Sequence, residues 1–266
     1  MKQWLLRHGR LGKLAMDARD TYELFSVARK HPEAVGTTAN DILATKLVTA
    51  LCWPGRTFVD VGAHIGSIIS RVKSQCPGVK IEAIEAIPEK VERLRAAFPN
   101  ATIHGCAVGN SEGEISFYVN LVASGYSSML RPETRTAHSV REIRVPLRRL
   151  DDVIAVRDID VMKIDVEGAE LEVFQGAASI LQTCRPTVMF ESGPEREVRC
   201  RQLHAYLMLR NYCIVLPNRL GHYDEGLSET GFVESHFYPR RSTNYFAVHR
   251  DRRDEVRVRS LALQTH

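Results

Sequence analysis

Apolar and polar positions along this chain repeat one local grammar. Phe58–Val61 is a short apolar run carrying one carboxylate, Asp60. It breaks at Gly62, and apolar residues then recur at helical spacing through Ile65, Ile68, Ile69 and Val72. The pattern predicts a strand, a tight turn and a helix. Lys80–Ile84 predicts a second strand ending in Glu85. Pro88 then opens a helix with Glu89 in its first turn and Val91, Leu94 and Phe98 as its stripe. Ala101–Val108 reads as a third strand, and Asp160–Ile164 as a buried strand ending in Asp165. Gly168 turns the chain into a helix carrying Leu171, Phe174 and Leu181. Thr187–Phe190 is another buried strand, ending in Glu191, with a helix near 196–210 after it. Cys213–Leu216 and Asn244–Val248 form a candidate antiparallel edge. Upstream, residues 16–51 read as two helices, the second capped by Asn40 or Asp41 and stopped at Pro54-Gly55.

The pattern changes in the middle. Glu114–Val119 and Ile143–Leu147 alternate like half-exposed strands around a polar stretch, 120–142, which contains Ser124-Gly125-Tyr126-Ser127-Ser128. This predicts a hairpin insertion with a long tip. The expected organisation is an N-terminal helical extension over 1–50, a main domain over 51–250 with the insertion around 113–148, and a basic tail over 251–266, read as a surface helix or disordered. Strands alternating with helices predict an α/β fold, a Rossmann-like, mostly parallel sheet with helices on both faces. Such sheets bind ligands at the carboxyl ends of their strands, where Asp60, Glu85, Asp165 and Glu191 all fall.

Composition narrows the function classes. The chain has 266 residues, 44% of them apolar, and a net charge of +4. That charge does not argue for a nucleic-acid partner. No apolar run is long enough for a transmembrane segment. The stretch Met1–His8 lacks the apolar core of a signal peptide. The six cysteines show neither metal-site nor disulfide-framework spacing and read as buried free thiols. The default expectation is a cytoplasmic protein, and a homo-oligomer stays open.

The acids suggest the ligand. Like charges ~4 Å apart at an effective dielectric of about 20 repel by roughly 4 kcal/mol. Asp60 at the glycine turn therefore disfavours a pyrophosphate and favours a cofactor with positive charge, such as S-adenosylmethionine. Glu85, one strand on, suits ribose hydroxyls. Gly62 and Gly66 allow close backbone approach and helix packing. Asp165 and Glu167 offer a general base or an acceptor-orienting group, and Lys163 a partner for a nearby acid. With Glu191 the pair could also hold a divalent cation, but the spacing fixes no coordination, so no metal ligand is assigned. His64, inside the turn, offers either a base or a hydrogen bond to turn or cofactor, the second being preferred. The arginines at 131, 135, 141, 144, 148 and 149 read as a solvated face, or as contacts to an anionic acceptor. Trp4, Leu5, Leu11 and Leu14 pack on the domain or touch a membrane surface.

Phe58–Gly66 (FVDVGAHIG), Ala83–Pro88 (AIEAIP), Cys106–Gly113 (CAVGNSEG), Leu150-Asp151-Asp152, Met162–Gly176 (MKIDVEGAELEVFQG) and Arg185–Glu191 (RPTVMFE) together resemble the FkbM family of class I S-adenosylmethionine-dependent methyltransferases. The resemblance covers roughly residues 50–193. It implies a seven-stranded sheet with one antiparallel strand, and O-methylation of a small-molecule, sugar or glycan, or natural-product hydroxyl. It also implies that Asp60, Gly62, Ala63, His64 and Gly66 form the methionine-end turn. Glu85 would bind ribose, Ala86 and Ile87 would flank the adenine, and Cys106 and Ala107 would approach its edge. Asp165 would face the methionine end and the acceptor. His64 stands where the family often has Asn. Ser127 and Ser128 resemble a serine-containing lid loop, and Glu191 joins them on the substrate side. Asp165 is the first choice of base, ahead of Glu167 and His64. Two rivals remain, a nicotinamide-dinucleotide oxidoreductase, which the missing G-x-G core opposes, and a non-catalytic cofactor-binding or partner-recruiting module.

Overall fold

A computed structural model describes residues 9–120, 140–193, 197–261 and 263, with the side chains of the first helix described from residue 17 onward. Two helices, α1 (Gly9–Lys30) and α2 (Val35–Leu51), precede the sheet. The repeating units follow: β1 (Thr57–Val61), α3 (Ser67–Gln75), β2 (Lys80–Glu85), α4 (Pro88–Ala97) and β3 (Thr102–Gly105). After a second, smaller sheet come β7 (Ile159–Ile164), α6 (Glu170–Gly176), α7 (Ala178–Thr183) and β8 (Thr187–Glu191). The chain ends with α8 (Glu197–Met208), β9 (Tyr212–Val215), α9 (Glu229–Glu234), β10 (Asn244–His249) and α10 (Arg253–Leu261).

The main sheet has seven strands in the order β3-β2-β1-β7-β8-β10-β9. All neighbours are parallel except β10, which runs antiparallel to both β8 and β9. The predicted antiparallel pairing is therefore present, but β10 lies inside the sheet, and β9 alone forms the edge on that side. Strand period two sends side chains to opposite faces. Val59, Val61, Met162 and Phe190 meet Phe174, Ile180, Leu203 and Phe232 on one face. Phe58, Ala83, Val161 and Phe246 meet Leu47, Val48, Ile69, Leu94 and Val256 on the other.

Three expectations change. The single third strand is two: β3 stays in the main sheet, and after Cys106 the chain leaves as β4 (Ala107–Gly109). There β6 (Val140–Arg149), followed by the short helix α5 (Leu150–Val153), pairs with both β4 and β5 (Gly113–Asn120), making a three-stranded sheet with its own core of Ile87, Ala107, Phe117, Val119 and Val145. Asn40 and Asp41 do not cap α2, which begins at Val35. Their side chains instead reach the approach to β10: Asn40 donates to the Arg241 carbonyl at 2.7 Å, and Asp41 accepts from the Thr243 and Asn244 amides at 3.0 and 3.1 Å.

The described part of the basic tail also packs against the sheet. Helix α10 packs under the sheet, where buried Asp160 at the start of β7 holds Arg252 and Arg259, each at 2.7 Å. Removing one partner of a buried ion pair costs about 3–5 kcal/mol, because it strands the other charge. Asp160→Asn should lower unfolding stability by about that amount in urea titrations. Arg141→Ala, which breaks an exposed pair with Glu89, should cost less than about 1 kcal/mol in the same measurement.

Candidate functional site

A cavity of about 490 Å³ opens at the carboxyl ends of β1, β2, β7 and β8. Its floor is the glycine turn after β1. The Gly62 and Ala63 amides both donate to the Ile84 carbonyl at 3.0 Å, and the Asp165 amide donates to the Val61 carbonyl at 3.1 Å. Gly62 has φ +79°, and a Cβ there would sit 1.9 Å from the Asp165 carbonyl oxygen. Only glycine lets the two loops touch. Gly66, also at φ +79°, does not line the cavity. A Cβ on it would meet the Phe98 ring at 2.3 Å, so its absence lets α3 pack on the end of α4.

Asp60 is likewise absent from the wall. It is 1% exposed and lies beneath the turn. Strand register sets Asp60 beside Lys163. The Lys163 ammonium stands 3.4 Å from Asp60 Oδ1 and 3.1 Å from Asp165 Oδ2, and donates to the Gly62 carbonyl at 2.9 Å. The 3.4 Å approach is an ion pair without a well-formed hydrogen bond, and among the described residues neither Asp60 oxygen has another partner. Burial pushes the Asp60 carboxyl up, with Lys163 opposing. Burial pulls the Lys163 ammonium down, but the two carboxylates more than offset it, so Lys163 stays charged. The repulsion assigned to Asp60 is thus answered below the floor. The acids that line the cavity are Glu85, Asp165, Glu167 and Glu191.

Glu85 joins two loops. Its carboxylate accepts from the His64 amide at 2.8 Å and the Ile87 amide at 2.9 Å. Burial raises its carboxyl, against Lys90 and those two amides. Each oxygen keeps a further lone pair for a ligand hydroxyl. His64 adopts φ 53° and Glu167 φ 55°, the left-handed region that non-glycine residues rarely occupy. Both line the cavity.

On the far side Asp165, Glu167 and Glu191 converge, one oxygen from each lying within 4.8 Å of the others. Burial raises the Asp165 carboxyl, but Lys163 and a hydrogen bond shared with Glu191 hold it below the ordinary range. Glu191 takes the opposite state: burial, then the Asp165 charge and the shared hydrogen bond, push it up to about 9. At neutral pH the pair therefore holds one proton, on Glu191. An oxygen set of this kind suits a hard cation. A cation there would compete with the Glu191 proton and with Lys163.

Ala63, Ala86, Ile87, Cys106 and Ala107 line the other wall. Ser127 and Ser128 lie outside the described residues. The structure adds lining residues that the sequence did not single out: Thr45 from α2, Lys90 from α4, Phe117 from the hairpin, Met189, and Asn244 from β10. Phe117 had a signal, since it sits on the apolar side of an alternating strand. Thr45 and Asn244 had none, because only tertiary packing brings them to the cavity.

Two measurements check these electrostatics. Lys163→Met should destabilise the fold by about 3–5 kcal/mol. Adding Asp60→Asn should restore part of that loss in a double-mutant cycle of unfolding free energies. The folded state keeps the Glu191 proton that the unfolded chain loses above its ordinary value of 4.5. This contribution is present in full below that value and is lost as pH rises to about 9. Melting temperature should therefore fall more steeply for the native chain than for Glu191→Gln between about pH 6 and 9.

The chain has relatives of known kind. The Methyltransferase FkbM domain model matches residues 60–214, more than half of the chain. Methyltransferase sdnD of Sordaria araneosa is 27% identical over 201 residues, 60% of this chain and 78% of that one. The 31-O-demethyl-FK506 methyltransferase FkbM of Streptomyces tacrolimicus is 32% identical over 155 residues, 46% of this chain and 60% of its own length. Among solved structures, Methyltransferase FkbM from Methylobacillus flagellatus KT is similar at a TM-score of 0.44 and 19% identity, over 74% of this chain and 44% of that one. A mostly parallel seven-stranded sheet with one antiparallel strand, a cavity at its carboxyl edge and a domain match spanning more than half of the sequence lead to one conclusion: the chain belongs to the FkbM family of S-adenosylmethionine-dependent methyltransferases.

Proposed function

We propose that this enzyme methylates a hydroxyl oxygen of a sugar, glycan or natural-product acceptor, with Asp165 as the proton acceptor. The observation that carries this reading is the Asp165–Glu191 pair, which holds a charged carboxylate and a proton side by side at the carboxyl edge, backed by Lys163. The relative from Streptomyces tacrolimicus is named for 31-O-demethyl-FK506, an acceptor that lacks an O-methyl group, and this supports an oxygen acceptor.

The cavity suits S-adenosylmethionine. Glu85 has lone pairs for ribose hydroxyls, Ile87, Ala107 and Phe117 form an apolar wall for an adenine, and the carboxylates complement an ammonium and a sulfonium. When bound, S-adenosylmethionine supplies a methyl group made electrophilic by its sulfonium. The chain supplies alignment, which can contribute ~7–11 kcal/mol when attack geometry is held. It also supplies a base. A sugar hydroxyl is a poor nucleophile, and a positioned base accelerates such reactions by ~10²–10⁴-fold.

Asp165 suits that task because Lys163 keeps it ionised. Its lowered proton affinity makes it a weak base, so it takes the proton late, when methyl transfer has made the acceptor oxygen acidic, and then releases it to solvent. Glu167 lines the same wall and His64 the turn opposite, as orienting groups in this reading.

Asp165→Asn should leave S-adenosylhomocysteine affinity within a few-fold by calorimetry and cut turnover ~10²–10⁴-fold. Unchanged turnover would remove Asp165 from the reaction.

A further inference from the structure

Helix α2 and strand β10 lie outside residues 60–214, yet both reach the cavity, through Thr45 and Asn244. Register places Asn244 opposite Glu191 on the neighbouring strand. Side chains directly opposite on an antiparallel pair share a face, about 5 Å apart. Asp165, just past the end of β7, and Glu191 and Asn244 on the adjacent strands β8 and β10 thus form a row at the carboxyl edge.

Asn244 is held in one orientation. Its amide nitrogen donates to Asp41 Oδ1 at 3.1 Å and to Thr243 Oγ1 at 2.9 Å, which uses both of its hydrogens. The same Asp41 oxygen also accepts from the Thr243 and Asn244 backbone amides at 3.0 and 3.1 Å. A carboxylate accepts and cannot donate, so the amide nitrogen must face Asp41 and the amide oxygen must face away. Further clamps fix the segment to α2: Asn40 donates to the Arg241 carbonyl at 2.7 Å, and the Thr37 hydroxyl donates to the Arg240 carbonyl. Asn244 lines the cavity with no amide hydrogen to spare, so its side chain can meet a ligand there only as an acceptor, through Oδ1.

We propose that Asn244, oriented by Asp41, is a specificity residue that accepts a hydrogen bond from a second hydroxyl of the acceptor, so that the enzyme selects polyols over mono-alcohols. The inference rests on the O-methylation reading. A carbonyl oxygen rejects an ether or carbonyl at the same place, which has no hydrogen to give. It also rewards a hydroxyl that the reaction leaves untouched. Asp41 is a positioning residue: it touches no ligand and acts through Asn244.

The test uses the full chain with methyl α-glucopyranoside, methyl α-mannopyranoside and methyl α-galactopyranoside, and their singly deoxygenated analogues. Binding is read by saturation-transfer NMR on the S-adenosylhomocysteine-loaded protein, and transfer by label from methyl-tritiated S-adenosylmethionine. One deoxygenation remote from the methylated position should raise KM about tenfold for the native chain, the loss of one hydrogen bond. In Asn244→Ala the KM for the parent glycoside should rise about tenfold, and that deoxygenation should no longer matter. S-adenosylhomocysteine affinity should hold within about twofold. Asp41→Ala should reproduce the lost discrimination, and Asp41→Asn, which can still accept from the backbone amides, should restore it. Melting curves establish that each variant is folded.

Methyl transfer to glycosides with discrimination intact in both alanine variants would overturn this inference and leave O-methylation standing. A large loss of S-adenosylhomocysteine affinity in Asn244→Ala would overturn it by making Asn244 a cofactor contact. S-adenosylhomocysteine binding with no glycoside bound or methylated would overturn the polyol selection. Methyl transfer to a nitrogen, carbon or sulfur acceptor instead of any hydroxyl would defeat the O-methylation reading itself.

Discussion

The site depends on one buried ammonium. Lys163 faces two carboxylates and a carbonyl from the end of β7, and each touches a different part of the active region. Asp60 belongs to β1, the Gly62 carbonyl to the turn, and Asp165 to the loop after β7. At an effective dielectric of about 20, each carboxylate contact represents roughly 5 kcal/mol of gross attraction. Desolvation costs several kcal/mol per ion, so little of this survives as net stability. What survives is geometry. Removing the ammonium would leave Asp60 buried without a counter-charge beneath the floor, with the like charge of Asp165 in the cavity wall beside it.

The same arrangement separates the titration of the acids around the cavity. Asp165, next to the ammonium, is kept ionised, while Glu191, one strand further away and next to Asp165, is kept protonated. Two carboxyl groups with the same intrinsic chemistry thus take opposite states, because one faces a lysine and the other faces a carboxylate. Glu85, across the cavity, has a third role: its carboxylate accepts from the His64 and Ile87 amides and so ties the wall of the cavity to its turn.

The parts of the fold carried by local pattern were readable. Strand periodicity located β1, β2, β7 and β8 and their acidic ends, and the glycine turn located the cavity edge. The FVDVGAHIG and KIDVEGAE segments pointed to the family. Long-range pairing misled at specific places. Ala101–Val108 is continuous in hydrophobicity, but Cys106 is where the chain changes sheets, and no period-two signal marks that change. Asp41 looks like a cap because it is an acid near a helix start, yet its partners lie some two hundred residues away. Asp60 looked like the ligand's electrostatic gate because its register partner, Lys163, is about a hundred residues off in sequence.

By itself the sequence determined the α/β class, the order of the repeating units and the glycine turn after β1, because these follow from residue-to-residue periodicity and from glycine's conformational range. The tertiary structure decided which acids face the cavity, which one carries the proton, and that α2 and β10 complete the wall. Those outcomes depend on strand register and on burial. Register puts Lys163 beside Asp60 and Asn244 beside Glu191, and burial turns each adjacency into a charge state or a fixed orientation.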